Sequence, residues 1–215
     1  MEKTNFFYLL GALLFMLIAF PLTQDLGFGD MPITRAIVFI VLLLSGVWSL
    51  KGGRLYLTGF AFVIVGIALS ILAANIDALF LRFASTLAIT GFLVVAISHS
   101  LKQVLFGTEM NVNRLAGAIC VFLLLGIIWS FAYLLLELAI PGSFSGFDAS
   151  QDPNSDSNWL YFSFVTLTTL GYGDITPESA TARTLAFMQA VVGQFYIAVL
   201  VAGLVSAYIS DKQGS

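Results

Sequence analysis

The chain has 215 residues, of which 59% are hydrophobic and only 10% charged, against about 25% charged in an ordinary soluble domain. A formal net charge of −3 excludes the basic balance a nucleic-acid binder needs, so no nucleic-acid partner is expected. What remains is a membrane protein, with room for about six apolar spans of roughly 20 residues each and little beside them.

No enzyme is expected either. His99 is the only histidine, so neither a Ser/His/Asp set nor a Cys/His metal cluster is available. Cys120, also single, lies inside an apolar run and reads as a packing residue.

The first apolar run covers residues 6–22. Glu2 and Lys3 cancel ahead of it, and Ala19-Phe20-Pro21 lacks a small-x-small cleavage site, so it reads as a retained span that Pro21 helps to end. Further spans are expected at 33–50, 55–74, 78–98, 115–140 and 182–209. Between the last two, residues 141–158 are rich in Gly, Ser, Asp and Pro and form an exposed turret, with Asn158 a candidate N-cap for the segment that follows. That segment, 159–169, is short and apolar and leads into Thr169-Leu170-Gly171-Tyr172-Gly173-Asp174. It suits a re-entrant helix and loop, because backbone without helical hydrogen bonds survives at membrane depth only where it is buried or lines a wet cavity. The expected fold is therefore an all-α membrane protein: six transmembrane helices, with a re-entrant pore helix and filter loop between the fifth and sixth.

Orientation follows from Lys and Arg on alternate sides. Lys3, Lys51, Arg54, Lys102, Arg114 and Lys212 fall on one side, and Arg35, Arg82 and Arg183 on the other. The first set marks the cytoplasmic face, which puts both termini inside and the loop at 170–174 outside, in a plasma or bacterial inner membrane. The outer face also collects Asp25, Asp30, Asp77, Asp148, Asp152, Asp156, Asp174 and Glu178, a negative field that would concentrate cations. Residues 99–114 read as an interfacial linker. Leu101, Val104 and Leu105 recur at helical spacing among the polar His99, Lys102 and Gln103, with Gly107 as a stop. His99 reads either as a proton-sensing group or as an ordinary interfacial side chain.

A bare cation in hydrocarbon is prohibitively costly, so a pore must replace its hydration shell with oxygens held in place. Gly171 and Gly173 permit dihedrals that residues with a Cβ avoid, which lets successive carbonyls turn toward one axis. Thr169 adds a hydroxyl at the inner end. Leu170 and Tyr172 should point away from the axis, against Trp159, Tyr161 and Phe162, and Asp174 can brace the outer end against the pore helix.

Thr169-Leu170-Gly171-Tyr172-Gly173-Asp174 resembles the signature filter of potassium channels, and the flanking Thr166 and Thr168 and the aromatic stretch around Phe162 are similar to that family too. The resemblance covers 115–209, the two-helix and pore-loop module. It implies K+ held by the carbonyls of Thr169, Leu170, Gly171 and Tyr172 and by the Thr169 hydroxyl, with no other cofactor. It also implies a homotetramer among membrane lipids, since one strand supplies a quarter of each oxygen ring. Leu170 stands where the family most often has valine, and Val165 where some members carry an acid.

In the last span, Gly193 follows Gly173 by twenty residues, where such channels have a hinge glycine; it reads as a hinge or as a close helix contact. Gln194, Ile197, Val201 and Val205 form a stripe that lines an inner cavity or a packed face, and the amide of Gln194 favours the cavity. Glu137, near the outer end of the fifth span, reads as a partner of the outer pore structure or as a snorkelling acid.

Six spans with the pore last also resemble voltage-gated cation channels. A sensor needs several basic residues at every third position, whereas the fourth span carries Arg82 followed by Ser85, Ala88, Gly91 and Val94. The expected organisation is a charge-poor, voltage-sensor-like four-helix domain at 1–98, the linker helix at 99–114, the pore domain at 115–209 and a short cytoplasmic tail at 210–215. The expected function is passive, potassium-selective conduction with weak voltage dependence. A weakly selective cation channel and a non-conducting regulatory subunit remain the alternatives.

Overall fold

The computed structural model describes residues 6–25, parts of 61–72, 79–106, 112–147 and 156–213. Within these, the elements are α1 (Phe6–Asp25), α2 (Leu79–Phe106), α3 (Val112–Ala139), β1 (Phe144–Ser145), α4 (Asp156–Leu167), β2 (Thr176–Pro177) and α5 (Ala180–Gln213). Three stretches, Leu79–Val104, Val112–Ala139 and Ala180–Leu200, are long and apolar enough to cross a bilayer. The chain is an integral membrane protein. The expected span at 33–50, more than half of that at 55–74, Asp77 and the stop at Gly107 lie outside the described residues.

Several sequence expectations shift. Pro21 does not end the first helix: α1 runs through it for one further turn to Asp25, since a proline removes only its own N–H from the ladder and the residues after it can still donate. The linker at 99–114 is not a separate helix. α2 continues unbroken through Ser98 to Phe106, and residues 112–114 already belong to α3; polarity at His99, Lys102 and Gln103 changes what a helix faces, and no Gly or Pro interrupts the ladder there. Asn158 is not an N-cap, since α4 has begun by Asp156 and places Asn158 inside its first turn.

The chain divides into two compact units, Met1–Ile128 and Trp129–Ser215. In the first, α1 buries Leu9, Leu13 and Met16 along one stripe while Phe7, Leu14, Phe15 and Ile18 are exposed, the arrangement of a helix with one side on protein and the rest toward lipid. The Phe6 backbone N–H donates to Asn113 Oδ1 at 2.8 Å. A Cβ at Gly117 would come within 2.8 Å of the Phe6 ring, so the glycine is what lets that ring seat on α3. Cys120 is buried beside it, its thiol 3.6 Å from the Phe6 carbonyl oxygen. On α2, His99 and Gln103 bond one turn apart at 2.6 Å, and Arg114 Nε donates to the Val104 carbonyl at 2.6 Å.

The second unit has an aromatic core. Tyr133 of α3, Phe144 of β1 and Phe162 of α4 meet edge to face, with ring centroids 4.9 to 5.4 Å apart, and Trp159 packs on Phe144 at 5.1 Å. Such pairs add about 0.5–1.5 kcal/mol each beyond area burial and hold α4 against α3 and β1. β1 and β2 pair antiparallel, Phe144 with Pro177 and Ser145 with Thr176, which ties the turret to the chain leaving the loop at 170–174.

Candidate ion-binding filter

α4 ends in a hydrogen-bonded cap that sets the start of the filter stretch. Thr169 N donates to Thr166 O at 3.0 Å and Leu170 N to Val165 O at 2.9 Å, while Thr169 has φ +59°. This is the Schellman arrangement, which satisfies carbonyls that the last helical turn leaves open. Its left-handed position is usually glycine; here it is a threonine, at a cost of about 1–2 kcal/mol. Gly171 N also donates to Val165 O, at 3.3 Å.

Beyond the cap, Gly171 and Gly173 have φ +58° and +81°. Left-handed values at 169, 171 and 173 therefore alternate with ordinary ones at Leu170 and Tyr172. In a regular strand, successive carbonyls turn to opposite sides; reversing the sign of φ at every second residue turns them to one side. A Cβ at Gly171 or Gly173 would meet nothing within 4 Å, so conformation rather than space requires these glycines. The expectation that glycine dihedrals shape this loop is met at 171 and 173, and Thr169 joins them.

The outer end is braced from two sides. Tyr161 of α4 donates its hydroxyl to Asp174 Oδ2 at 2.5 Å, the link to the pore helix expected of that acid. This bond holds the Asp174 carboxyl below its usual range and pushes the Tyr161 phenol up to about 12. From the turret, Gly146, with φ +93°, lies so close to Asp174 that a Cβ would overlap its carbonyl oxygen. Ser145 Oγ donates to Glu178 Oε1 at 2.6 Å, and Glu178 N donates to Ser143 O at 2.8 Å. The Ser145 bond, helped by Arg183 at 3.6 Å, holds the Glu178 carboxyl below its usual range.

The inner end rests on α5. Ser179 caps this helix, accepting from Ala182 N at 3.1 Å. Gln189 is fully buried: its Nε2 donates to Ser163 O at 3.0 Å and Ser163 Oγ at 2.7 Å, and its Oε1 accepts from the Tyr133 hydroxyl. One turn on, Gly193 passes so close to the end of α4 that a Cβ would overlap the Leu167 carbonyl oxygen. Next to it, Gln194 Nε2 donates to Thr169 Oγ1 at 3.2 Å.

The structure thus brings Gln194 to the filter stretch and puts Gly193 in the close contact that was one of its two readings. Phe162 is buried in the aromatic core, and Thr168 Oγ1 bonds back to Phe164 O at 2.7 Å. Leu170 and Tyr172, expected to pack against Trp159, Tyr161 and Phe162, are 55% and 67% exposed in the single chain, while Phe144 packs on both Trp159 and Phe162 and Tyr133 on Phe162. Ile197 is exposed; the side chains of Val201 and Val205 lie outside the described residues. Glu137 Oε1 accepts from Gly142 N at 2.7 Å, so it closes the turn after α3. Tyr133, Ser163, Gln189 and Gly146 escaped the sequence reading. Gln189 was findable by the argument that singled out Gln194, an amide inside an apolar span, while Gly146 gives no signal among other turret glycines.

Residues 121–210 match the ion channel family. Among curated proteins, two pore potassium channel c of Oryza sativa subsp. japonica is 37% identical over 86 residues, covering 38% of this chain and 18% of its own length. Two-pore potassium channels 3 and 2 of Arabidopsis thaliana are 46% and 41% identical, over 26% and 25% of this chain and 13% and 12% of their own lengths. The chain thus spans less than a fifth of the curated relatives it matches. No solved structure matches significantly. The family match covers the whole filter stretch and its cap, and the curated relatives named here are all potassium channels.

Proposed function

We propose that the chain is a potassium-selective channel that conducts K+ passively through a pore completed by four copies. The observation that carries this reading is the alternating left-handed backbone at Thr169, Gly171 and Gly173, set on the capped end of α4. With the carbonyls of Thr169, Leu170, Gly171 and Tyr172 on one side and the Thr169 hydroxyl below them, four such strands around an axis supply stacked oxygen rings for dehydrated K+.

One chain holds one such strand, whereas the relatives' names speak of two pores; four copies give the four-fold ring. The exposed apolar side chains of Leu170, Tyr172, Phe187, Met188, Val191 and Phe195 suit burial against neighbouring copies and lipid. In this reading the chain has six spans with the two termini inside. Arg82 is the only basic residue in the first five turns of α2, so little charge crosses the field and voltage dependence is weak.

Flux from purified protein in liposomes tests the proposal. K+ gradients should drive flux and Na+ gradients should not. Gly171→Ala should abolish it, since alanine at φ +58° is strained whatever the space around it. Equal K+ and Na+ flux would point to a weakly selective channel, and no flux from well-folded protein to a regulatory subunit.

A further inference from the structure

The packing of α5 against α4 sets the position of the Gln194 amide. Gly193 lets α5 abut the Leu167 carbonyl. Gln189 fixes the same helix to Ser163 a turn earlier. With α5 held at these two points, the side chain at 194 comes within hydrogen-bond distance of Thr169 Oγ1, at 3.2 Å. A residue one position earlier or later would face elsewhere, because each step turns the helix by about 100°.

We propose that Gln194 is a positioning residue for the innermost ion site: by donating to Thr169 Oγ1 it orients that hydroxyl and weakens its hold on the ion. The inference rests on the reading of Thr169–Tyr172 as ion ligands. A threonine hydroxyl has one hydrogen and two lone pairs. The Gln194 N–H takes one lone pair, which leaves the other for a cation and draws electron density from the oxygen that would bind it. Repeated in four copies, the effect gives a site that releases its ion to the cavity more readily than hydroxyls alone would. An apolar side chain at 194 would leave both lone pairs and the full charge density to the ion.

Ba2+ is a suitable probe, being close to K+ in size and doubly charged, so the same oxygens hold it longer. The chain is reconstituted in planar bilayers, K+ current is recorded, and Ba2+ is added on the side of the α5 C-terminus. Gln194→Leu is expected to tighten Ba2+ block by about fivefold, the scale of one hydrogen bond, when Thr169 or Thr169→Ser is present. In a Thr169→Ala background the same substitution should leave block unchanged, since no hydroxyl remains to be oriented.

Unchanged or weakened block in Gln194→Leu would overturn the proposal. So would an equal change in both backgrounds, which would trace to the cavity at large. The Ba2+-induced rise in unfolding temperature of the detergent-solubilised protein reads the same coupling without current. If that coupling is present and K+ current is absent, the positioning role stands and the conduction reading falls. If current is present and the coupling absent, the reverse holds.

Discussion

The buried amide of Gln189 gives the sharpest test of how α4 is held. It joins three elements: its Oε1 accepts from Tyr133 on α3, and its Nε2 donates to Ser163 on α4. All three side chains are inaccessible to solvent. Tyr133→Phe deletes one hydroxyl and leaves Gln189 Oε1 buried without that donor, at an expected cost of about 1–2 kcal/mol. Gln189→Leu keeps the volume but removes three hydrogen bonds and strands the Tyr133 hydroxyl, for about 2–4 kcal/mol. The double variant should be no less stable than Gln189→Leu alone, because the orphaned hydroxyl is gone. Partner loss counted twice in the single variants then appears as a coupling of about 1 kcal/mol, the upper part of what interhelical hydrogen bonds in membranes give. Denaturant unfolding in detergent, followed by circular dichroism, measures all four proteins. Costs that add to within about 0.3 kcal/mol would refute the claim that the three side chains act as a unit.

The outer brace makes a pH prediction. The Tyr161 bond lowers the Asp174 pKa, so its contribution is complete above the ordinary carboxylate range and is lost as pH falls through the lowered value. On the alkaline side the pair persists until the tyrosine ionises at about 12. Tyr161→Phe removes the largest cause of the shift, and in the proposed channel the loss of K+ flux on acidification of the face that carries Asp174 should move to higher pH; an unmoved midpoint would detach the brace from filter integrity. The ion pair between Arg183 and Glu178, with side chains 66% and 48% exposed, should matter little. Arg183→Gln is expected to leave the unfolding temperature unchanged within error.

The membrane class and the filter stretch were legible because each leaves a dense signal: apolar runs long enough to span, and glycines alternating with larger residues beside a threonine. The aromatic helix before the filter was legible for the same reason. Helix boundaries were less so. Pro21 and the polar group at His99, Lys102 and Gln103 looked like punctuation, yet a proline removes one donor from the ladder without stopping the turn after it, and polar side chains remove none. Thr169 showed nothing of its left-handed backbone, because only the cap formed with Val165 and Thr166 imposes it. Tyr133, Ser163 and Gln189 are separated by 30 and 26 positions, and such a network exists only once three helices pack. The packing of Phe144 on Trp159 and Phe162 was equally hidden, because it joins positions on either side of the turret loop.

The same contacts constrain how α5 can move. Its first part is pinned to α4 and the filter at Gln189, Gly193 and Gln194. A bend at Gly193 that swung the following residue outward would withdraw Gln194 from Thr169 and open a gap at the Leu167 carbonyl, so in the proposed channel it would disturb the Thr169 hydroxyl whenever the helix bent. Gly203 is placed differently: a Cβ there would meet nothing within 4 Å, so a bend at that level breaks no contact of its own. The two glycines should therefore separate experimentally. Gly203→Ala fits without overlap and stiffens the helix by about 1 kcal/mol, and should lower open probability in single-channel recordings while K+ over Na+ preference is kept. Gly193→Ala gains the same propensity but forces backbone overlap with Leu167, and should weaken ion selectivity or tetramer stability. If instead Gly193→Ala changes open probability alone and Gly203→Ala gates like the parent, the bend lies at Gly193 and its contact with Leu167 must break and re-form in each cycle.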